Sequence, residues 1–215
     1  VQLLLIAKAP QPGRSKTRLS PPCTSGEAAD LAEAALVDTL SAMAATPADR
    51  RVIVLEGPPG PWLPPGFDIV RQRSGGLDSR LAGAFDDAGA PSLLIGMDTP
   101  QVTPALLGDA ADRLGRPHID AVLGLAVDGG WWAIGLRRAD PDVFLGVPMS
   151  TERTGERQLA RLRSRQLRID LLPQLVDVDH FDDAVAVAAA MPPSAFADRV
   201  AAVRQRVEAR SADGT

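Results

Sequence analysis

The sequence predicts a single α/β domain, Rossmann-like, with a mostly parallel central sheet and helices on both of its faces. Three observations carry this. Apolar runs of strand length alternate with longer Ala-rich stretches of helical length, the order of βαβ units. The apolar runs are near-continuous, as strands covered on both faces require. With 215 residues, 45% of them hydrophobic, the chain can bury one substantial core.

The first strand, over 3–7, is the uninterrupted "LLLIA", and the loop after it contains prolines that forbid regular structure. An Ala-rich helix over 25–45 follows. Strands over 51–55 and 68–72 are separated by "GPPGPWLPPG", a rigid surface connection at 57–66. A helix over 77–88 leads to a strand over 92–97, which Pro100 stops before Thr103 or Pro104 opens a helix over 104–114. Strands over 121–126 and 132–136 flank Asp128-Gly129-Gly130, a hairpin signal. A helical segment around 151–165 precedes a last strand over 168–171. Helices over 182–190 and about 194–210 follow, the second amphipathic and expected outside the sheet, and the tail "SADGT" should fray. The main body is thus 1–192, with 193–215 as its C-terminal helix and tail.

A net charge of −4 offers nothing overall to nucleic acid or to an anionic membrane surface, so any anion site must be local. The N-terminal apolar run is too short for a membrane span or a signal segment. Cys23 is the only cysteine, which excludes an internal disulfide and a Cys-rich metal site and suits a reducing compartment; it reads as a bland small residue. A cytoplasmic protein is expected.

Open α/β sheets bind ligands beyond the carboxyl ends of their strands. The loop after the first strand holds Lys8, Gly13, Arg14, Lys16 and Arg18 without a carboxylate, and Lys8 and Lys16 are the only lysines of the chain. It is not a P-loop, because Pro10 and Ser15 stand where G-x-x-x-x-G-K-S/T needs glycine. It remains a cation-rich turn suited to nucleotide phosphates. In "LLIGMDTPQVTP", Asp98 arrives at a strand tip, either as a ligand for Mg²⁺ or Mn²⁺ or as a cap of the local turn.

The remaining loops add candidates of both signs. Asp128 is a hairpin residue or a site carboxylate; Gly129 and Gly130 would let backbone approach a bound sugar, and Trp131 and Trp132 could stack on it, one of them facing the core by alternation. "VDVDHFDD" puts Asp177 and Asp179 on one face if extended. They either converge on a metal with Asp98, or Asp179 caps the following helix. His118 and His180 lack a nucleophile partner at a recognisable spacing and read as structural. Arg153, Arg157, Arg161 and Arg165 form a helix stripe, a solvated face or a docking surface for an acidic partner.

Together "AKAPQPGRSKTRL", "IGMDTPQVTPALL", "LGLAVDGGWWAIGLRR", "MSTERT" and "VDVDHFDDAV" resemble the glycosyltransferase A-type superfamily of nucleotide-diphospho-sugar transferases and MobA-like nucleotidyltransferases. Within it the chain is most similar to the bacterial DUF2064 family, some of whose members carry the label of arsenosugar-biosynthesis glycosyltransferases. The resemblance implies that Lys16 and Arg18 bind nucleotide phosphates with Lys8 near them, and that Gly75, Gly76 and Leu77 lie near the base. It implies Asp98 as the metal aspartate, completed by Asp179. Position 101, often acidic in that family, is Gln101, and the aromatic pair is Trp131-Trp132 in a chain without tyrosine.

The expected activity is a metal-dependent transfer from a nucleotide-diphospho-sugar to a small-molecule acceptor, with Lys16, Asp98 and Asp128 as catalytic groups and Asp128 as acceptor base. Nucleotidyl transfer from an NTP to a phosphorylated small molecule is the alternative. A nucleotide-binding protein without chemistry is the third, with Gln101 as its support.

Overall fold

The computed structural model describes residues 1–89 and 91–213, the last three as backbone only. Seven strands form one sheet: β1 (Gln2–Lys8), β2 (Arg51–Glu56), β3 (Asp68–Arg71), β4 (Ser92–Gly96), β5 (Ala121–Ala126), β6 (Trp131–Leu136) and β7 (Ile169–Leu175). Their order is β3-β2-β1-β4-β6-β5-β7. Only β6 runs against its neighbours; the other pairings are parallel. β1 sits between β2 and β4, and its Leu3, Leu4 and Leu5 are fully buried, as a strand covered on both faces must be.

Six helices complete the fold: α1 (Ser25–Ala45), α2 (Leu77–Ala88), α3 (Pro104–Gly115), α4 (Thr154–Ser164), α5 (Phe181–Ala190) and α6 (Ala195–Asp213). Their starts are written in local chemistry. Thr24 and Glu27 form a reciprocal capping box at α1, and Thr103 caps α3 with Pro104 in its first turn. On one face of the sheet, Leu36 and Leu40 of α1 and Leu107 and Leu114 of α3 pack on Leu3, Leu5, Ile53 and Trp132. On the other, Leu81 and Phe85 of α2 and Leu162 of α4 pack on Leu4, Val52 and Ile134.

A third cluster contains no strand residue: Leu31 of α1, Val187 of α5 and Phe196 and Val203 of α6 meet outside the sheet. The Asp38 carboxylate of α1 accepts the first N–H groups of α6 from Ala195 and Phe196, at 3.3 and 2.9 Å. The helix runs to Asp213; residues 214 and 215 of the tail expected to fray lie outside the described residues.

Among the boundaries that differ from the sequence reading, two have a local cause. β7 continues past 171, through Pro173, to Leu175. It is the last strand of the sheet, so the missing N–H of proline faces no partner, and a shift in register between Gly124–Leu172 and Ala126–Leu175 absorbs the kink. The Pro173 carbonyl accepts the Trp132 indole N–H at 2.9 Å. α4 begins at Thr154 rather than near 151, because the Thr154 hydroxyl takes the Thr151 N–H in a preceding turn.

Candidate functional site

The carboxyl ends of β1, β4, β5 and β7 open on the same sheet edge, where antiparallel β6 also begins. Three loops are tied together there. The Val178 N–H donates to the Asp98 carbonyl at 3.0 Å. Gln101 Nε2 donates to the Val176 carbonyl at 2.6 Å. Lys16 Nζ stands 2.7 Å from Asp98 Oδ1 and donates to the Val178 carbonyl.

Local geometry in the first loop aims Lys16 inward. The Gln11 carbonyl accepts N–H groups from Arg14 and Ser15, at 3.1 and 3.0 Å, while Ser15 Oγ accepts the Gln11 N–H at 2.9 Å. The chain then reverses at Lys16, whose φ of 48° and ψ of 41° are left-handed values that a non-glycine residue seldom adopts. Its side chain is only 11% exposed. A short 3-10 turn, Thr17–Leu19, follows; it buries Leu19 and sends Arg18 to an ion pair with Asp179. Arg14 is exposed and makes no ion pair among the described residues, and Gly13 (φ +75°) faces open space.

The two lysines part company. Lys8 is 66% exposed and lies 3.6 Å from Glu56, which also pairs with Arg80. Arg80 Nε donates to the Gly75 carbonyl at 3.0 Å, Gly76 opens α2, and Leu77 is exposed beside it. Gln72 Nε2 anchors this zone to β1 by donating to the Ala7 carbonyl at 2.8 Å. Lys8, Gly75, Gly76 and Leu77 are thus linked through Glu56 and Arg80 into a second zone, and the Lys8 N–H donates to the sulfur of Met97, next to Asp98, at 3.3 Å.

Asp177 is the residue that the sequence undervalued. Burial of its carboxyl and the nearby Asp98 push its pKa up to about 7; Asp128 and Asp179 push the same way, and Lys16 opposes them. Asp179, by contrast, is engaged by Arg18, and its N–H and that of His180 turn to Asp183. Of the two aspartates of "VDVD", the expected Asp179 is engaged by Arg18, while Asp177 is the one whose buried carboxyl feels Asp98 most. The signal was present in "VDVD", but spacing cannot rank two aspartates that share a face.

Gln101 marks no vacated acidic site. Its amide holds the strand leading to Asp177, a donation that a carboxylate cannot make, while its Oε1 is buried without a partner among the described residues. At the β5–β6 turn, Asp128 is exposed and accepts the Gly130 N–H at 2.9 Å, as a hairpin residue does. Gly129 has φ +91°, and a Cβ there would stand 1.8 Å from the Glu152 carbonyl oxygen. The close approach it allows is to the chain before α4; the Gly155 N–H also donates to the Gly129 carbonyl at 2.8 Å. Trp132 is 1% exposed in the core, and Trp131 is half-buried against the opposite core, so only part of its ring is open for stacking.

The other candidates prove structural. Burial raises the Cys23 thiol to about 11, which makes it inert. Arg161 donates to the Asp142 and Leu145 carbonyls, Arg165 pairs with Asp140 and Arg153 with Glu156, so most of the arginine stripe is committed within the chain.

A divalent cation fits the donor set. Burial and the carboxylates at 98, 128 and 179 all press on Asp177, with Lys16 as the one cation that opposes them. Among the described residues no group of three or more His, Cys, Asp or Glu forms a ready cage. Mg²⁺ and Mn²⁺ take oxygen ligands and some of them from substrate phosphate and water, and Asp98 and Asp177 are the protein oxygens that would be offered to them.

Residues 29–151, more than half of the chain, match the family model described as an uncharacterized protein conserved in bacteria (DUF2064). No curated protein matches the chain. A provisionally assigned nucleotide-diphospho-sugar transferase from Desulfovibrio desulfuricans G20 is similar in structure over 96% of this chain and 95% of its own, with TM-score 0.83 and 28% identity. A cytidylyltransferase from Leptospira borgpetersenii shares the fold at TM-score 0.54 and 11% identity, over 96% of this chain and 94% of its own. Rv0371C from Mycobacterium tuberculosis, solved with manganese, shares it at TM-score 0.50 and 21% identity, over 86% and 96%.

Proposed function

Since this chain belongs to the DUF2064 family of proteins conserved in bacteria, we propose that it is a divalent-metal-dependent transferase that takes a nucleotide-diphospho-sugar as donor and a small molecule as acceptor. The observation that carries this reading is the Lys16–Asp98–Asp177 cluster, a cation and two carboxylates gathered where a mostly parallel sheet binds ligands. Likeness to the Desulfovibrio protein over nearly the full length supports the donor class.

Asp98 and Asp177 would hold Mg²⁺ or Mn²⁺, which supplies charge for the departing diphosphate. Lys16 and the unpaired Arg14 would contact the phosphates, with Arg18 beside them, and the second zone around Lys8, Gly75, Gly76 and Leu77 would meet the nucleoside. The acceptor oxygen forms a bond to the anomeric carbon as the carbon–oxygen bond to the diphosphate breaks, and Asp128 takes the acceptor's proton. The Gly130 N–H would hold Asp128 in place, and the open part of the Trp131 ring would meet the sugar or the acceptor. The body at 1–192 would carry the chemistry, with 193–215 buttressing α1.

Nucleotidyl transfer with pyrophosphate release is the second reading, favoured by the open cationic turn at 13–18, and the cytidylyltransferase likeness is one of fold. A non-catalytic role loses its support, because Gln101 builds the site instead of leaving it incomplete. No helix among the described residues is long and apolar enough to cross a membrane. We place the protein in the cytoplasm, without nucleic acid as a partner.

The test is incubation with Mn²⁺ or Mg²⁺ and panels of nucleotide-diphospho-sugars and NTPs with neutral and phosphorylated acceptors. Release of a nucleoside diphosphate supports glycosyl transfer, and release of pyrophosphate supports the second reading. Release of neither across both panels overturns both.

A further inference from the structure

Resting on that reading and extending it to the order of binding, we infer that the Lys16 ammonium is a place-holding cation: it bars a divalent metal from Asp98 until nucleotide phosphate draws it away. Lys16 is thus a positioning residue for the metal, distinct from its later contact with phosphate. Its Nζ is 2.7 Å from Asp98 Oδ1, a direct ion pair. A divalent cation would bind that oxygen at about 2.0–2.2 Å. An ammonium held directly on Oδ1 competes with a metal for that oxygen, so full ligation by Asp98 is favoured once the ammonium has left.

Three further features make the exchange possible. The same ammonium donates to the Val178 carbonyl, between Asp177 and Asp179, so it closes the gap between the two carboxylate-bearing loops. Those loops do not need it to stay together, because the Val178–Asp98 backbone bond and the Gln101–Val176 bond hold them independently. Lys16 also rides on a turn that has a way to reopen: Gly13 and Lys16 are both left-handed, and Gly13 faces open space. Lys16 holds a φ that a non-glycine residue seldom adopts, and Arg14, two residues before it, is exposed without an ion-pair partner among the described residues. A diphosphate between Lys16 and Arg14 would replace the carboxylate that Lys16 gives up. Charge is then conserved on both sides, with the metal on the carboxylates and the lysine on the phosphates.

The experiment is titration of the nucleotide-free protein with Mn²⁺ alone, followed by the electron paramagnetic resonance of unbound Mn²⁺, for the wild type, Lys16→Gln and Lys16→Arg. Expected is weak binding by wild type and Lys16→Arg, and binding at least tenfold tighter by Lys16→Gln, although Lys16→Gln loses phosphate affinity. Asp98→Asn placed in the Lys16→Gln background should return Mn²⁺ binding to the weak level. A companion melting curve covers the case of a poorly folding variant: Mn²⁺ should raise the midpoint of Lys16→Gln more than that of the wild type. Mn²⁺ affinity equal in wild type and Lys16→Gln, or weaker in Lys16→Gln, overturns the inference. If that result accompanies normal metal-dependent turnover, the place-holding role alone fails; if no variant binds Mn²⁺ and none turns over, the metal site and this inference fail together.

Discussion

Asp177 should make the metal-free protein weaker as pH rises, and its replacement should make it stronger. Its folded pKa, about 7, lies above the 3.8 of an unperturbed aspartate, so between those values the folded state holds a proton that the unfolded chain has lost. The contribution of Asp177 to stability is therefore greatest below pH 4, falls as pH climbs toward 7, and stays at its lower level above that. A shift of about three units corresponds to about 4 kcal/mol at most, at about 1.4 kcal/mol per unit. Water at the exposed side of the half-buried carboxyl lowers this to on the order of 2 kcal/mol.

Asp177→Asn removes the ionisation and leaves an isosteric side chain in place. Urea unfolding of the metal-free protein should show the variant more stable than wild type by about 2 kcal/mol at pH 8, with the difference narrowing as pH falls below 7 and closing only below pH 4. Adding Mn²⁺ at pH 8 in the Lys16→Gln background, where the place-holding ammonium is gone, should stabilise the protein with Asp177 and not the one with Asp177→Asn, since the carboxylate that destabilises the empty fold is the one that would hold the cation. Equal stability at pH 8 with parallel pH profiles would refute the reasoning and return Asp177 to an ordinary surface carboxylate.

Asp98→Asn should abolish metal-dependent turnover, read as nucleoside diphosphate release, with a circular dichroism spectrum like that of the wild type. Gln101→Glu removes the donor to the Val176 carbonyl and buries a second acceptor there; urea unfolding should show a loss of about 1–3 kcal/mol. Cys23, raised to about 11 and buried, should resist thiol reagents in the folded protein at pH 8 and react at once in urea.

Much of this fold is legible in the chain because each signal is local. The continuous apolar run at 3–7 predicts a strand covered on both faces, and β1 is one. Capping chemistry at Thr24–Glu27 and Thr103–Pro104 places two helix starts, and alternation at Trp131–Trp132 sends one ring to each side of the sheet. β7 escapes the same treatment, because proline ends a strand everywhere except at an edge, and edge position belongs to sheet order, which no local window contains.

The site divides along the same line. Asp98 and Lys16 stand out by type and place: a lone acid at a strand tip, and one of two lysines in a proline-bound loop. Their direct pairing does not, since it depends on a left-handed turn at Lys16 and on a carbonyl from residue 178. Asp177 and Asp179 are equivalent by spacing, and what separates them is tertiary: Arg18 reaches one, while burial and the carboxylates of three other loop positions fall on the other. Gln101 reverses its meaning for the same reason. As a letter it is a missing acid, but folded against the Val176 carbonyl its amide is the donor that keeps the Asp177 loop within reach of Asp98, so a gain of charge there should weaken the site it would seem to complete.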